Sequence, residues 1–90
     1  MAIRFSRSAA RHGIRQDRSR YVVEHCAWPL YSADPEREGL VLFLGPDARG
    51  VPLEVVGLEL ADGGLLVIHA MGLRKVHGDE YARVIQCQGR

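Results

Sequence analysis

The stretch Leu65-Leu66-Val67-Ile68-His69-Ala70-Met71-Gly72-Leu73-Arg74-Lys75 organises the reading of this chain. It opens as a continuous apolar run of strand type and ends in two adjacent cations. His69 sits inside the apolar part. A buried strand that runs straight into proton-handling and anion-binding side chains builds a site on a rigid element. Strict alternation puts Leu65, Val67, His69 and Met71 on one face and Leu66, Ile68 and Ala70 on the other.

Outward from this strand, Ala61-Asp62-Gly63-Gly64 reads as a hairpin turn. Residues 53–60 form the preceding strand. Its apolar parity switches, with Leu53 and Val55 on one side and Val56, Leu58 and Leu60 on the other, so a bulge is expected at Gly57. Residues 45–50 are a turn by composition, and residues 40–44 are a further apolar strand. Residues 32–38 are a polar loop. All three strands carry apolar residues on both faces, so the second face needs a cover: the last helix, a second protomer in a homodimer, or a partner protein.

Toward the N-terminus, Ser6 or Ser8 caps a short helix that runs to His12 and stops at Gly13. A helix there would align Arg4, Arg7 and Arg11 on one face. A second helix spans residues 16–27, with Val22/Cys26 and Val23/Ala27 as apolar pairs and Pro29 beyond its end. A last helix spans residues 79–88, capped by Asp79, with Tyr81 and Ile85 on one face. The expected fold is α+β: a helical pair packed on a three-stranded, or four-stranded, antiparallel sheet, with a short C-terminal helix.

Ninety residues make a single domain, 1–90. No apolar run approaches the roughly 20 residues a membrane span needs, and the arginine-bearing N-terminus has no signal core, which argues for a cytoplasmic protein. Cys26 and Cys87 have no metal-ligand spacing; two reduced thiols are expected, with a disulfide between them as the alternative. His12, His25, His69 and His77 lack paired ligand spacing, and there is no Gly-rich loop or nucleophile elbow, so neither a metal nor a cofactor is expected. The net charge of +1 conceals segregation. Residues 1–20 hold six arginines against Asp17, residues 21–62 are acidic, and residues 63–90 are again basic, a pattern that suits an anionic partner at the two ends of the chain.

The side chains left for chemistry are His12, His69, Arg74, Lys75, His77 and Tyr81, with Arg11 beside His12. They suit metal-free cleavage of RNA. That reaction needs a base for the 2′-hydroxyl proton, an acid for the leaving 5′-oxygen, and cations for the charge on phosphorus. His69, His12, Arg74 and Tyr81 are the catalytic candidates; Arg4, Arg7, Arg11, Arg15, Lys75 and His77 are the RNA-binding candidates. Each has a plainer reading: His69 as a core histidine, the cations as solvated surface, Tyr81 as packing. A sequence-specific DNA binder is a weaker alternative, since the second helix offers only Gln16, Arg18 and Arg20 to read bases.

The pattern Ala10-Arg11-His12-Gly13-Ile14, then Val41 to Gly45 and Leu53-Glu54-Val55, then Leu66-Val67-Ile68-His69-Ala70-Met71 leading to Arg74-Lys75 and Tyr81, resembles BrnT-like toxins of the broader RelE superfamily of bacterial toxin–antitoxin systems. The resemblance covers about residues 9–83. It departs from the family pattern at Gly72, where proline is expected, and at Val76-His77, where an arginine or aromatic is common. It implies a ribonuclease toxin, acting with or without the ribosome, that cleaves mRNA and inhibits translation. It also implies a cognate antitoxin, often of ribbon-helix-helix type, and an RNA site lined by Arg11, His12, His69, Arg74 and Lys75. The alternative is a non-catalytic module of this fold that binds a partner protein or nucleic acid.

Overall fold

The computed structural model describes residues 2–88, with side chains described through Gln86. The fold is α+β, with a five-stranded mixed sheet and two α-helices. The strands are β1 (Ile3–Phe5), β2 (Leu30–Tyr31), β3 (Leu40–Pro46), β4 (Pro52–Glu59) and β5 (Leu65–Gly72). The helices are α1 (Gln16–His25) and α2 (Gly78–Gln88). The sheet order is β1-β5-β4-β3-β2. β2 to β5 are antiparallel neighbours, and β1 lies parallel to β5.

This corrects the expected three- or four-stranded antiparallel sheet. β1 and β2 are three and two residues long, too short to carry a readable period. β1 owes its order to β5: Leu65 N–H donates to Ala2 O and Ser6 N–H donates to Val67 O, each at 2.9 Å. The expected first helix is also corrected. Residues Arg7–Ala10 make a single 3-10 turn, and Ser6 makes no side-chain cap. The hydroxyls serve the sheet instead: Ser8 Oγ donates to Ile68 O at 2.6 Å and lies 2.7 Å from Ser6 Oγ. Arg4 is therefore on a strand, and Arg4, Arg7 and Arg11 share no helix face. α1 ends at His25 rather than residue 27, because Cys26 is already extended at φ −76°, ψ 111°. The Cys87 thiol, and with it the expected state of the two cysteines, lies outside the described residues.

A register shift falls between Val56 and Gly57, where a bulge was expected in β4, but β4 keeps its alternation and the extra residue lies on β5, which decides where His69 points. Gly57 pairs with Val67 while Val56 pairs with His69, so Ile68 is the extra residue of a bulge on β5. The carbonyl that Ser8 holds is this residue's own. An extra residue reverses the alternation downstream. Leu65 and Val67 keep company with Ala70, whereas His69 and Met71 lie on the face of Glu54 and Val56. The expectation that His69 shares a face with Leu65 and Val67 is thereby corrected.

The two faces differ in cover. Val22 and Val23 of α1 pack with Val41, Phe43, Leu53, Val55, Leu65, Val67 and Ala70 in one buried cluster. Each valine, leucine and phenylalanine among them contributes roughly 1.5–3 kcal/mol, so this layer carries most of the stability. On the other face α2 covers one end, where Leu44, Glu54 and Val84 are buried. Leu40, Leu42, Val56, Leu58 and Leu66 remain only half-buried there. Among the described residues no helix is long and apolar enough to cross a membrane.

Candidate active site

Glu54 is the one acidic residue inside the β4 run Leu53-Glu54-Val55-Val56, and it is fully buried. A dry carboxylate persists only when paired and hydrogen-bonded. Arg74, just beyond β5, supplies the pairing. Its Nε donates to Oε1 at 2.7 Å, its Nη2 to Oε2 at 2.9 Å, and its backbone N–H to Oε1 at 3.1 Å. Burial alone would raise the Glu54 carboxyl, but the side-chain and backbone hydrogen bonds from Arg74 outweigh it and hold the group below its ordinary range. In return the Glu54 carboxylate raises the Arg74 guanidinium.

Two histidines meet the same carboxylate oxygen. His77 Nε2 is 3.4 Å from Glu54 Oε2, and His69 Nε2 is 3.8 Å from it. The other ring nitrogen of His77 pairs with Glu80 Oε1 at 2.9 Å, in the first turn of α2. His12 arrives from the far end of the chain. The 3-10 turn after β1 brings it over β5, and Gly13, at φ +75°, turns the backbone away toward α1. Its ring meets that of His69 edge-on, with centroids 5.4 Å apart and planes at 72°.

Burial lowers the His69 imidazole below its ordinary value. The Glu54 carboxylate opposes this, while Arg74, Arg11 and a protonated His12 add to it. At neutral pH His69 is therefore an uncharged proton acceptor with cations around it. A neutral base flanked by positive charge, with a second histidine in contact, can move protons at an anionic centre such as a phosphodiester.

Of the residues expected at the site, His12, His69, Arg74 and His77 come together, with Arg11 close enough to act on the His69 ring electrostatically. Arg74 is not the free phosphate ligand it was expected to be. Its side chain is 53% exposed, yet Nε and Nη2 are committed to Glu54, which leaves only Nη1 outside that pairing. Lys75 and Arg7 are exposed. Arg4 is elsewhere: it pairs with Asp62 in the β4–β5 turn at 2.7 Å, and its level on β5 is Leu66, about 10 Å along the strand from His69. Arg15 pairs with Asp17 at 3.7 Å at the start of α1. Tyr81 is half-buried, its hydroxyl is raised by burial, and it makes no hydrogen bond or ring contact with the cluster among the described residues.

Glu54 and Glu80 are the members that sequence reasoning missed. The available signal was a lone carboxylate in a strand whose neighbours on both sides are apolar. Among the described residues no group of three or more histidine, cysteine or acidic side chains is placed to hold a metal ion. Compared with known proteins, the chain matches no family model, no curated protein and no solved structure.

Proposed function

We propose that the protein is a metal-independent endoribonuclease toxin of a type II toxin–antitoxin system, similar to BrnT and the RelE superfamily, that cleaves mRNA and so inhibits translation. The observation that carries this reading is the meeting of His12 and His69, from opposite ends of the sequence, at 5.4 Å in a field of Arg11 and Arg74. One histidine removes the 2′-hydroxyl proton and O2′ attacks phosphorus. The other protonates the departing 5′-oxygen, leaving a 2′,3′-cyclic phosphate and a 5′-hydroxyl. Arg11 and the remaining Nη1 of Arg74 hold the charge that builds on the phosphoryl oxygens.

Purified protein should cut single-stranded RNA with EDTA present. His12→Ala and His69→Ala should each lose about 100-fold or more, the contribution of one general acid or base. Intact RNA after incubation with the wild-type chain, both with and without ribosomes, removes the enzyme reading. The toxin reading further expects growth arrest on expression, reversed by an antitoxin encoded beside the gene, of ribbon-helix-helix or other type.

A second reading is a non-catalytic module of this fold that holds a partner protein. What favours it is the half-buried apolar strip of Leu40, Leu42, Val56, Leu58 and Leu66, together with the commitment of Arg74 to Glu54. Binding of a partner or of RNA by a chain that never cuts RNA would select it.

A further inference from the structure

We infer that Glu54 is a positioning residue that holds His69 as the Nε2–H tautomer, so that the lone pair stands on Nδ1 and His69 is the base of the pair while His12 is the acid. The inference rests on the acid–base reading of His12 and His69, and it assigns direction to that pair.

The geometry around Nε2 carries it. That atom is sealed from solvent and has no hydrogen-bond partner among the described residues. The acceptor it faces is Glu54 Oε2 at 3.8 Å. A carboxylate oxygen can only accept. A lone pair on Nε2 would set two acceptors against each other in a dry interior, where an unfavourable polar contact is not relieved by water. A proton on Nε2 turns the same contact into an attraction. The carboxylate cannot rotate away, because Arg74 holds both of its oxygens. The His69 side chain is nevertheless 27% exposed. With Nε2 sealed, that exposure lies elsewhere on the side chain, and Nδ1 is the ring nitrogen left for substrate.

The charged and titratable groups around the ring agree with this assignment. Glu54 faces it from β4, Arg74 from the end of β5, and Arg11 and His12 from the turn before α1. His77 reaches the same Glu54 oxygen from the 3-10 turn just before α2, with Glu80 behind it. Burial, with the nearby cations adding to it against Glu54, keeps the ring neutral and makes the choice of tautomer matter. In the reaction, Nδ1 takes the 2′-hydroxyl proton, the O2′–P bond forms as the P–O5′ bond breaks, and His12 gives its proton to O5′. The leftover imidazolium at His69 points its Nε2–H at the carboxylate, which stabilises the charge as it appears.

Imidazole ¹⁵N NMR on the intact wild-type chain, above the titration range of His69, tests this without any substrate. Protonated Nε2 and unprotonated Nδ1 are expected for His69; an Nδ1–H tautomer overturns the proposal, even if RNA is cut. Failure to cut RNA, with the Nε2–H tautomer observed, sinks the proposed function and leaves the positioning role of Glu54 intact. Glu54→Gln provides the second arm. Its kcat should fall about 100-fold with KM unchanged, and the acidic limb of its pH–rate profile should move to lower pH, because the carboxylate no longer favours the charged ring. A Glu54→Gln enzyme with wild-type kcat and an unmoved limb overturns the proposal. If that variant does not fold, the wild-type spectrum still decides.

Discussion

Gly57→Ala is the sharpest test of the packing that sets the bulge. A Cβ at Gly57 would lie 2.7 Å from Leu65 Cδ1, 2.9 Å from Cγ and 3.1 Å from Cδ2. Leu65 is 1% exposed and sits in the core cluster, so its side chain has nowhere to swing. Overpacking of this kind costs about 1–3 kcal/mol. Alanine recovers about 0.5–1 kcal/mol over glycine in a strand interior through lower chain entropy. The steric term wins, for a net loss of about 1–2 kcal/mol. At about 4–8 °C per kcal/mol for a domain of this size, Tm falls by about 4–16 °C. Urea unfolding followed by far-UV circular dichroism reads the change as a lower midpoint with an unaltered slope. Leu65→Ala alone should cost about 2–5 kcal/mol through the cavity it leaves. In the Gly57→Ala background the new methyl has room, so the double variant should be better than the sum of the singles by about 1 kcal/mol or more. A Gly57→Ala protein within about 0.5 kcal/mol of wild type, or strict additivity with Leu65→Ala, refutes the close Gly57–Leu65 packing.

Glu54→Gln should destabilise by about 2–4 kcal/mol, because the new amide sets a donor against Arg74 Nη2 at a buried position; a urea midpoint near that of wild type would contradict the pairing. Stability should fall toward acid in two windows. His69, whose folded value is lowered, loses its contribution as pH drops below its unfolded value of about 6.5 and on through its folded one; Glu54 and Asp47, also lowered on folding, lose theirs below about 4. Chemical denaturation from pH 8 to pH 3 checks this, and a curve that rises toward acid reverses the sign. Asp47→Ala should lower Tm by loosening the β3–β4 turn from α1, since Asp47 accepts from the Arg49 and Val51 backbone N–H groups and from Arg18 Nε, each at 2.9 Å; thermal melting reads it. Arg4→Ala should leave both RNA cleavage and Tm unchanged, since its partner Asp62 is an exposed turn residue away from the histidines; a loss of cleavage would return Arg4 to the site.

The β3–β5 meander was legible because each strand is an apolar run bounded by turn residues: Gly-Pro-Asp before Gly50, and Asp62-Gly63-Gly64. α1 was legible from its apolar pairs and Pro29 beyond it, and α2 from the shared face of Tyr81 and Ile85. β1 and β2 were not, since three and two residues carry no period and are ordered only by the strands they join. The helix expected after Ser6 failed because Ser8 donates its hydroxyl to the sheet and Ser6 pairs with Ser8, a use that depends on a carbonyl sixty residues from Ser8.

For the site, the sequence by itself determined the cast. Histidines, arginines and a strand that ends in cations are visible in the chain, whereas the bulge expected in β4 at Gly57 has its extra residue on β5. The tertiary structure decided their relations. The bulge at Ile68 turns His69 onto the face of Glu54, and Arg74 is drawn into that buried carboxylate instead of remaining free. His12 is carried to His69 by a strand too short to foresee. The physical reason is that composition and period report which side chains prefer burial, whereas a one-residue register shift and the pairing demand of a dry charge are settled between strands, by neighbours distant in sequence.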